Sequence, residues 1–115
     1  MLEGFYRIAF TGVAGSGFGM LVFQKGTIAG ADMAGATYDG TYQSNAETDL
    51  HEFQITVTFP AGVTPVQTGI PLAAPSRLNF NGKMSLNDIS NDEPVLIQTP
   101  IGPINVLFSK IRNVP

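Results

Sequence analysis

The chain has 115 residues, enough for one domain with a single hydrophobic core and too few for two. It contains no cysteine, which excludes disulfides, thiolate nucleophiles and cysteine-ligated metal sites. Only 13% of the residues are charged, the formal net charge is -3, and the six lysines and arginines are spread along the sequence, so we expect no binding to nucleic acid.

The sequence has no feature typical of export or of membrane insertion. Residues 1–4 contain no basic stretch leading into an apolar one. No apolar run approaches the roughly 18 residues that a membrane-spanning helix needs. We therefore expect a soluble cytoplasmic protein without a membrane partner.

Short apolar stretches alternate with glycine-marked turns, and no segment has convincing helical spacing. Alternation of apolar and polar residues predicts strands over 3–13, 17–25, 27–32, 37–44, 50–59, 77–84, 94–99 and 104–112. A sheet without helices must protect its edges, and closure into a barrel does so. The predicted fold class is therefore all-β: a small antiparallel up-and-down β-barrel of about eight strands, formed by one domain over 1–115.

The strand pattern also assigns side chains to the barrel interior. Tyr6, Ile8 and Phe10 share one face of the first strand, and the strand over 17–25 is so uniformly apolar that both of its faces are expected to be covered. A barrel of this size either fills with side chains or keeps space for one ligand. An apolar ligand would lie against Tyr6, Phe10, Tyr38, Phe53 and Ile55.

Two segments have a local signature of their own. Gly26 predicts a tight hairpin turn, because glycine readily adopts the positive φ that a short reversal requires. The segment 60–75 contains four prolines, which exclude a helix or a central strand. Its apolar residues predict an ordered loop that covers one end of the barrel rather than a mobile lid.

No catalytic or metal-binding constellation stands out. His51, the only histidine, lies on the apolar face of its strand, and we interpret it as a core or rim residue bonded to a neighbour. Asp32 and Asp39 could meet as paired carboxylates, although an aspartate at a strand end more often accepts hydrogen bonds from turn amides. The oxygen-rich stretch 87–93 lacks calcium-loop spacing, and the glycines of 15–19 precede a strand rather than a phosphate-binding helix. We expect no enzyme, cofactor or metal.

Several short motifs, by their order and spacing, resemble the GrlR-like family of small negative regulators associated with bacterial type III secretion. They are a Gly-x-Tyr-x-x-x-Phe strand, a Gly-x-Gly strand start, a small-small-Asp turn, a Tyr-x-Gly strand and a Leu-His pair. Together they cover less than half of the chain. The residues that carry them are Gly4, Tyr6, Phe10, Gly17, Gly19, Gly30, Ala31, Asp32, Tyr38, Gly40, Leu50 and His51.

The resemblance implies a lipocalin-like barrel that forms a homodimer and binds a transcriptional activator rather than DNA. In that family the partner contact is attributed to an acidic surface loop, whose counterpart here is 45–49 with Glu47 and Asp49. On this basis we expect a non-enzymatic regulatory or adaptor protein that binds a protein partner through these two residues. The alternative is a barrel that carries a small apolar ligand, which requires a continuous cavity on the order of 300 Å³ or more.

Overall fold

The computed structural model describes residues 2–45, 47–48, 50–85 and 93–115. Within these residues the chain forms eight β-strands, and no helix long and apolar enough to cross a membrane is found among them. The strands are β1 (Gly4–Gly12), β2 (Gly15–Gln24), β3 (Thr27–Asp32), β4 (Thr37–Asn45), β5 (Leu50–Phe59), β6 (Ser76–Ser85), β7 (Val95–Thr99) and β8 (Gly102–Arg112).

All eight strands belong to one antiparallel sheet with the order β6-β5-β4-β3-β2-β1-β8-β7. The sheet curls until its two outermost strands, β6 and β7, contact each other, although no hydrogen-bonded ladder joins them in the described part of the chain. We call this contact the seam. The predicted all-β, up-and-down architecture is confirmed as a nearly closed barrel.

The up-and-down order sorts the connections between the two ends of the barrel. One end carries the turns at 13–14, 33–36 and 100–101 together with the segment 60–75, and we call it the loop end. The opposite end carries the turn at 25–26, the β4–β5 connection and both chain termini. Loops held by a rigid scaffold often carry binding residues, so each end of the barrel is a candidate location for a functional site.

The turn between β2 and β3 shows how local sequence sets the strand register. Lys25 and Gly26 both have positive φ, 51° and 80°, which is the pattern of a two-residue primed turn. The prediction for Gly26 is therefore confirmed. This geometry matches the right-handed twist of the flanking strands and aligns Gln24 with Thr27.

The half of the barrel interior that lies away from the loop end is filled by aromatic side chains. The ring of Phe23 lies 5.1 Å from that of Tyr6, 5.3 Å from that of Tyr42 and 6.5 Å from that of Phe108, measured between centroids. The Tyr6 hydroxyl donates a 2.5 Å hydrogen bond to the carbonyl oxygen of Leu2. This packing satisfies the buried phenol and closes that end of the barrel with side chains.

The prediction that both faces of the second strand are covered is wrong for the described chain. Leu21 and Phe23 are buried, but Phe18 and Met20, at the alternate positions of the strand, are 57% and 45% exposed. The barrel is a single layer, so only one face of each strand can pack against the interior. In the register Phe18 pairs with Ala9, and Met20 lies between Arg7 and Ala31, so no large apolar partner covers either side chain.

Candidate functional site

The half of the barrel interior near the loop end is hollow. It contains a cavity of about 460 Å³, enclosed by inward-facing side chains of the strands and by residues 63–67. This volume lies in the range of about 300–1,000 Å³ that small-molecule pockets occupy. The walls are predominantly apolar, and they include Ile8, Phe10, Leu21, Val57, Leu78 and Phe108.

The cavity exists partly because small residues face large ones across the strands. Phe10 of β1 is paired with Gly17 of β2, and a Cβ atom at Gly17 would lie only 2.5 Å from the Phe10 ring. The ring can therefore lie against the backbone of β2 instead of extending across the interior. The other glycines of the short motifs, Gly4, Gly19, Gly30 and Gly40, likewise lie within strands β1 to β4.

The segment 60–75 covers the loop end, as predicted. Val63 and Val66 pack against the core and form part of the cavity wall. The amide of Ala14 donates a 2.9 Å hydrogen bond to the carbonyl oxygen of Val66, and the amide of Leu72 donates one of 2.9 Å to Val63. One bond attaches the segment to the β1–β2 turn, and the other links two of its own residues. The segment is therefore an ordered loop that covers the cavity.

A pair of polar residues interrupts the apolar wall. Asp32 Oδ1 accepts hydrogen bonds of 3.0 Å from the amides of Ala34 and Ala36, and Asp32 Oδ2 accepts one of 2.5 Å from the Tyr38 hydroxyl. Of the described residues that line the cavity, Asp32 is the only one with a charged side chain. Burial, reinforced by the hydrogen bond and the charge of Asp32, raises the pKa of the Tyr38 phenol.

The five residues predicted to contact a ligand separate into two groups. Phe10, Tyr38 and Ile55 line the cavity. Tyr6 and Phe53 are buried in the filled half of the barrel and are not among the residues of its lining. Alternation assigned all five to the inner face, but periodicity gives no information on which level of the barrel stays empty.

Asp32 is the cavity residue that sequence reasoning treated as structural. It accepts the turn amides as expected, and it also faces inward, because it pairs with Gly19 of β2. Asp39 is exposed on the outer face of β4, so the alternative of a carboxylate pair is wrong. Tyr38 faces inward and is paired with Gly30 of β3. Asp32 is two positions further along β3 and therefore lies on the same, inner face.

His51 lies at the end of the barrel remote from the cavity. Its Nδ1 atom is 2.9 Å from the Ser44 hydroxyl oxygen, and the ring is half-buried. This agrees with the interpretation of a rim histidine bonded to a neighbour. The oxygen-rich stretch predicted at 87–93 lies outside the described residues except for Glu93, and among the described residues no metal-binding group of side chains is found.

The acidic loop connects β4 to β5 at the same remote end. Glu47 is exposed, and its amide donates a 3.0 Å hydrogen bond to the side-chain oxygen of Asn45. Asp49 lies outside the described residues. The carboxylate of Glu47 is therefore presented to solvent at the end of the barrel opposite to the cavity.

A scan against protein-family models finds no match, and a search of curated proteins finds none. The resemblance of the short motifs to the GrlR-like family therefore stays a prediction.

Proposed function

We propose that this protein binds one small apolar molecule inside the barrel. The observation that supports the proposal is the cavity of about 460 Å³ beneath the loop end. Phe18, Met33 and Thr64 belong to its lining and are exposed, so they mark a mouth through which a molecule can enter. The proposed site is thus a predominantly apolar cavity that opens to solvent near the loop end.

The chemistry of the wall favours an apolar occupant over water. A water molecule in a protein interior needs two to four polar partners, and the part of the wall formed by Ile8, Leu21 and Val57 supplies none. Removing apolar ligand surface from water contributes about 25 cal/mol per Å². Because the walls are strands of one sheet, little conformational freedom is lost on binding.

The proposal is tested with the fluorescent hydrocarbon diphenylhexatriene, which has no polar group. We expect its emission to rise on binding, with one molecule per chain confirmed by native mass spectrometry. Val57→Phe adds bulk inside the cavity and should weaken binding at least about ten-fold, while Val22→Phe, the same change on the outer face of β2, should not. Absence of binding to the unaltered protein would overturn the proposal, as would equal binding by both variants.

A second candidate function, binding of a protein partner, is favoured by the outer surface. Phe18, Met20 and Met33 are 57%, 45% and 86% exposed, and they form what we call the outer patch. The Met33 amide donates a 2.9 Å hydrogen bond to the Phe18 carbonyl, so the turn and the strand that carry them are joined. Neighbouring exposed apolar side chains are typical of protein interfaces. A homodimer would use such a face, whereas contact with a transcriptional activator, which the resemblance to GrlR-like regulators implies, would use the acidic loop.

Two variants separate the outer patch from the acidic loop. Met20→Glu places a charge in the outer patch without altering the cavity lining. A Glu47→Ala, Asp49→Ala double change removes the two acidic side chains of the segment 45–49. Light scattering after gel filtration should give a mass near twice 12.2 kDa for a homodimer. Loss of the dimer in Met20→Glu alone would assign dimerisation to the outer patch, and a monomeric unaltered protein would contradict the homodimer.

A pull-down with tagged protein tests the partner-binding role. If Glu47 and Asp49 contact a partner, the double change should reduce capture of that partner, and added salt should do the same, because surface charge pairs are screened. Unchanged capture by the double variant would remove these residues as the contact site.

A further inference from the structure

We infer that Asp32 and Tyr38 form a head-group site in the cavity, which selects an apolar ligand carrying one hydrogen-bond donor, an amine or a hydroxyl, over one carrying a carboxylate. The inference rests on the proposed function, because it specifies the ligand of the same cavity. It is supported by the hydrogen-bond inventory of the two side chains and by the charges of the wall.

The Asp32 carboxylate has acceptor capacity left on the oxygen that faces Tyr38. An ionised carboxylate offers about four acceptor positions. The amides of Ala34 and Ala36 occupy Oδ1, whereas Oδ2 accepts, among the described residues, only from the Tyr38 hydroxyl. The turn thus fixes the carboxylate through one oxygen and leaves the other able to accept one more hydrogen bond.

Tyr38 adds a second acceptor and no donor. A phenol has one hydrogen to donate, and Tyr38 gives it to Asp32. Toward a ligand the phenol oxygen therefore presents only lone pairs. The raised pKa of Tyr38 keeps the phenol protonated at neutral pH, so this arrangement persists under ordinary conditions. A ligand group that donates hydrogen bonds satisfies both side chains, and one that only accepts satisfies neither.

The charged groups of the cavity wall also favour a hydrogen-bond donor over a carboxylate. Among the described residues that line the cavity there is no lysine, arginine or histidine, so a bound carboxylate would have no cationic partner there. It would also be repelled by Asp32 in a surrounding of low polarity, where charges interact more strongly than in water. A charge buried without a partner is costly, whereas an ammonium group next to Asp32 is paired.

The test compares three ligands that carry the same ten-carbon alkyl chain and differ only in their head group: decylamine, decanol and undecanoate. Each is titrated against bound diphenylhexatriene at neutral pH and below its micelle concentration. We expect decylamine and decanol to displace the probe at a concentration about ten-fold lower than undecanoate. Asp32→Asn should reduce this preference for decylamine to less than about three-fold.

Asp39→Asn is the matched control, because it changes the net charge by the same amount on the exposed outer face of β4. This variant should keep the full preference, which excludes a general attraction of amines to an acidic protein. Tyr38→Phe gives a second test that retains the carboxylate. It should weaken the binding of decanol several-fold more than it changes the binding of diphenylhexatriene.

The outcomes separate this inference from the proposed function. If diphenylhexatriene binds but undecanoate competes as well as decylamine, the head-group site is overturned and the apolar cavity stands. The same holds if the preference is unchanged in both Asp32→Asn and Tyr38→Phe. If diphenylhexatriene does not bind at all, both the proposed function and the head-group site are overturned.

Discussion

The Tyr38 hydroxyl and the Asp32 carboxylate are joined by a 2.5 Å hydrogen bond that links β3 to β4 from inside the barrel. The same carboxylate holds the amides of Ala34 and Ala36, so one side chain organises both the turn and the adjoining wall. Ala36 is fully buried, which means that its amide has no access to water as a substitute acceptor. This relationship makes Asp32 a structural residue as well as a candidate ligand contact.

Replacing Asp32 by alanine should lower the free energy of unfolding by about 2–3 kcal/mol, because hydrogen bonds to a charged acceptor are lost and the buried amide of Ala36 is left unpaired. Urea denaturation measures this loss. Asp39→Ala, on the exposed outer face, should change the free energy by less than about 0.5 kcal/mol. Equal effects of the two changes would contradict the role assigned to the Asp32 carboxylate.

Tyr6 should make the barrel sensitive to alkali. Burial, and to a lesser degree the charge of Tyr42, raises the pKa of Tyr6 from 10.0 to about 12. Between these values the unfolded chain binds fewer protons than the folded one, so stability is intact below about pH 10 and falls as the pH rises toward about 12. The contribution of Tyr6 to this loss is about 2–3 kcal/mol of unfolding free energy.

Urea denaturation at several pH values between about 9 and 12 checks this expectation. The Tyr6→Phe variant should lose less stability over this interval than the unaltered protein. At neutral pH it should be less stable by about 1 kcal/mol, because the hydrogen bond to the Leu2 carbonyl is missing. Tyr38→Phe should also flatten the pH dependence, since the pKa of Tyr38 is raised as well. Parallel curves for all three proteins would contradict the prediction.

Gly17→Ala should weaken ligand binding while only slightly lowering the free energy of unfolding. The added methyl group would meet the ring of Phe10, which can move only into the cavity. We expect weaker binding of diphenylhexatriene with a loss of less than about 1 kcal/mol in unfolding free energy. Gly30→Ala is the contrasting variant, because its methyl group would meet the backbone oxygen of Met20 and should cost about 2–3 kcal/mol. Thermal unfolding and probe titration of both variants separate the two effects.

The turn between β2 and β3 should respond to substitutions in opposite directions. Lys25 has a φ of 51°, a conformation that asparagine tolerates better than lysine, so Lys25→Asn should raise the free energy of unfolding by about 0.5 kcal/mol. Gly26 has a φ of 80°, and Gly26→Ala should lower it by about 1 kcal/mol or more. The measurement is the shift in thermal midpoint, and a destabilised Lys25→Asn variant would contradict the assigned turn type.

The alternation of apolar and polar residues predicted the strands well, because each strand has one buried and one exposed face. The pattern from Phe53 to Phe59 identified β5 with its observed limits, and the prolines of 60–75 marked the covering loop. Boundaries shifted where glycines occur. The second strand was predicted to begin at 17 and begins at Gly15, because Gly15 pairs with Gly12 and the ladder continues up to the turn at 13–14.

The division of the interior could not be predicted from spacing. Tyr6 and Phe10 both point inward from β1, yet one belongs to the filled half and the other to the cavity wall. The difference arises from partners on other strands: Tyr6 packs on Phe23, whereas Phe10 lies over Gly17. These partners become neighbours only when the register of the whole sheet is fixed, so the location of an empty space is a property of the assembled barrel.

Because of the seam between β6 and β7, the barrel is a curled open sheet with two edge strands rather than a closed ring of paired strands. Backbone amides that face the seam lack ladder partners among the described residues and should exchange with deuterated water sooner than those of β1, which is paired on both sides. Phe80 of β6 and Ile97 of β7 both line the cavity, so a molecule held between them touches both free edges. Such a molecule would hold the two edge strands together, and its binding would slow hydrogen exchange of the backbone amides of β6 and β7 that face the seam.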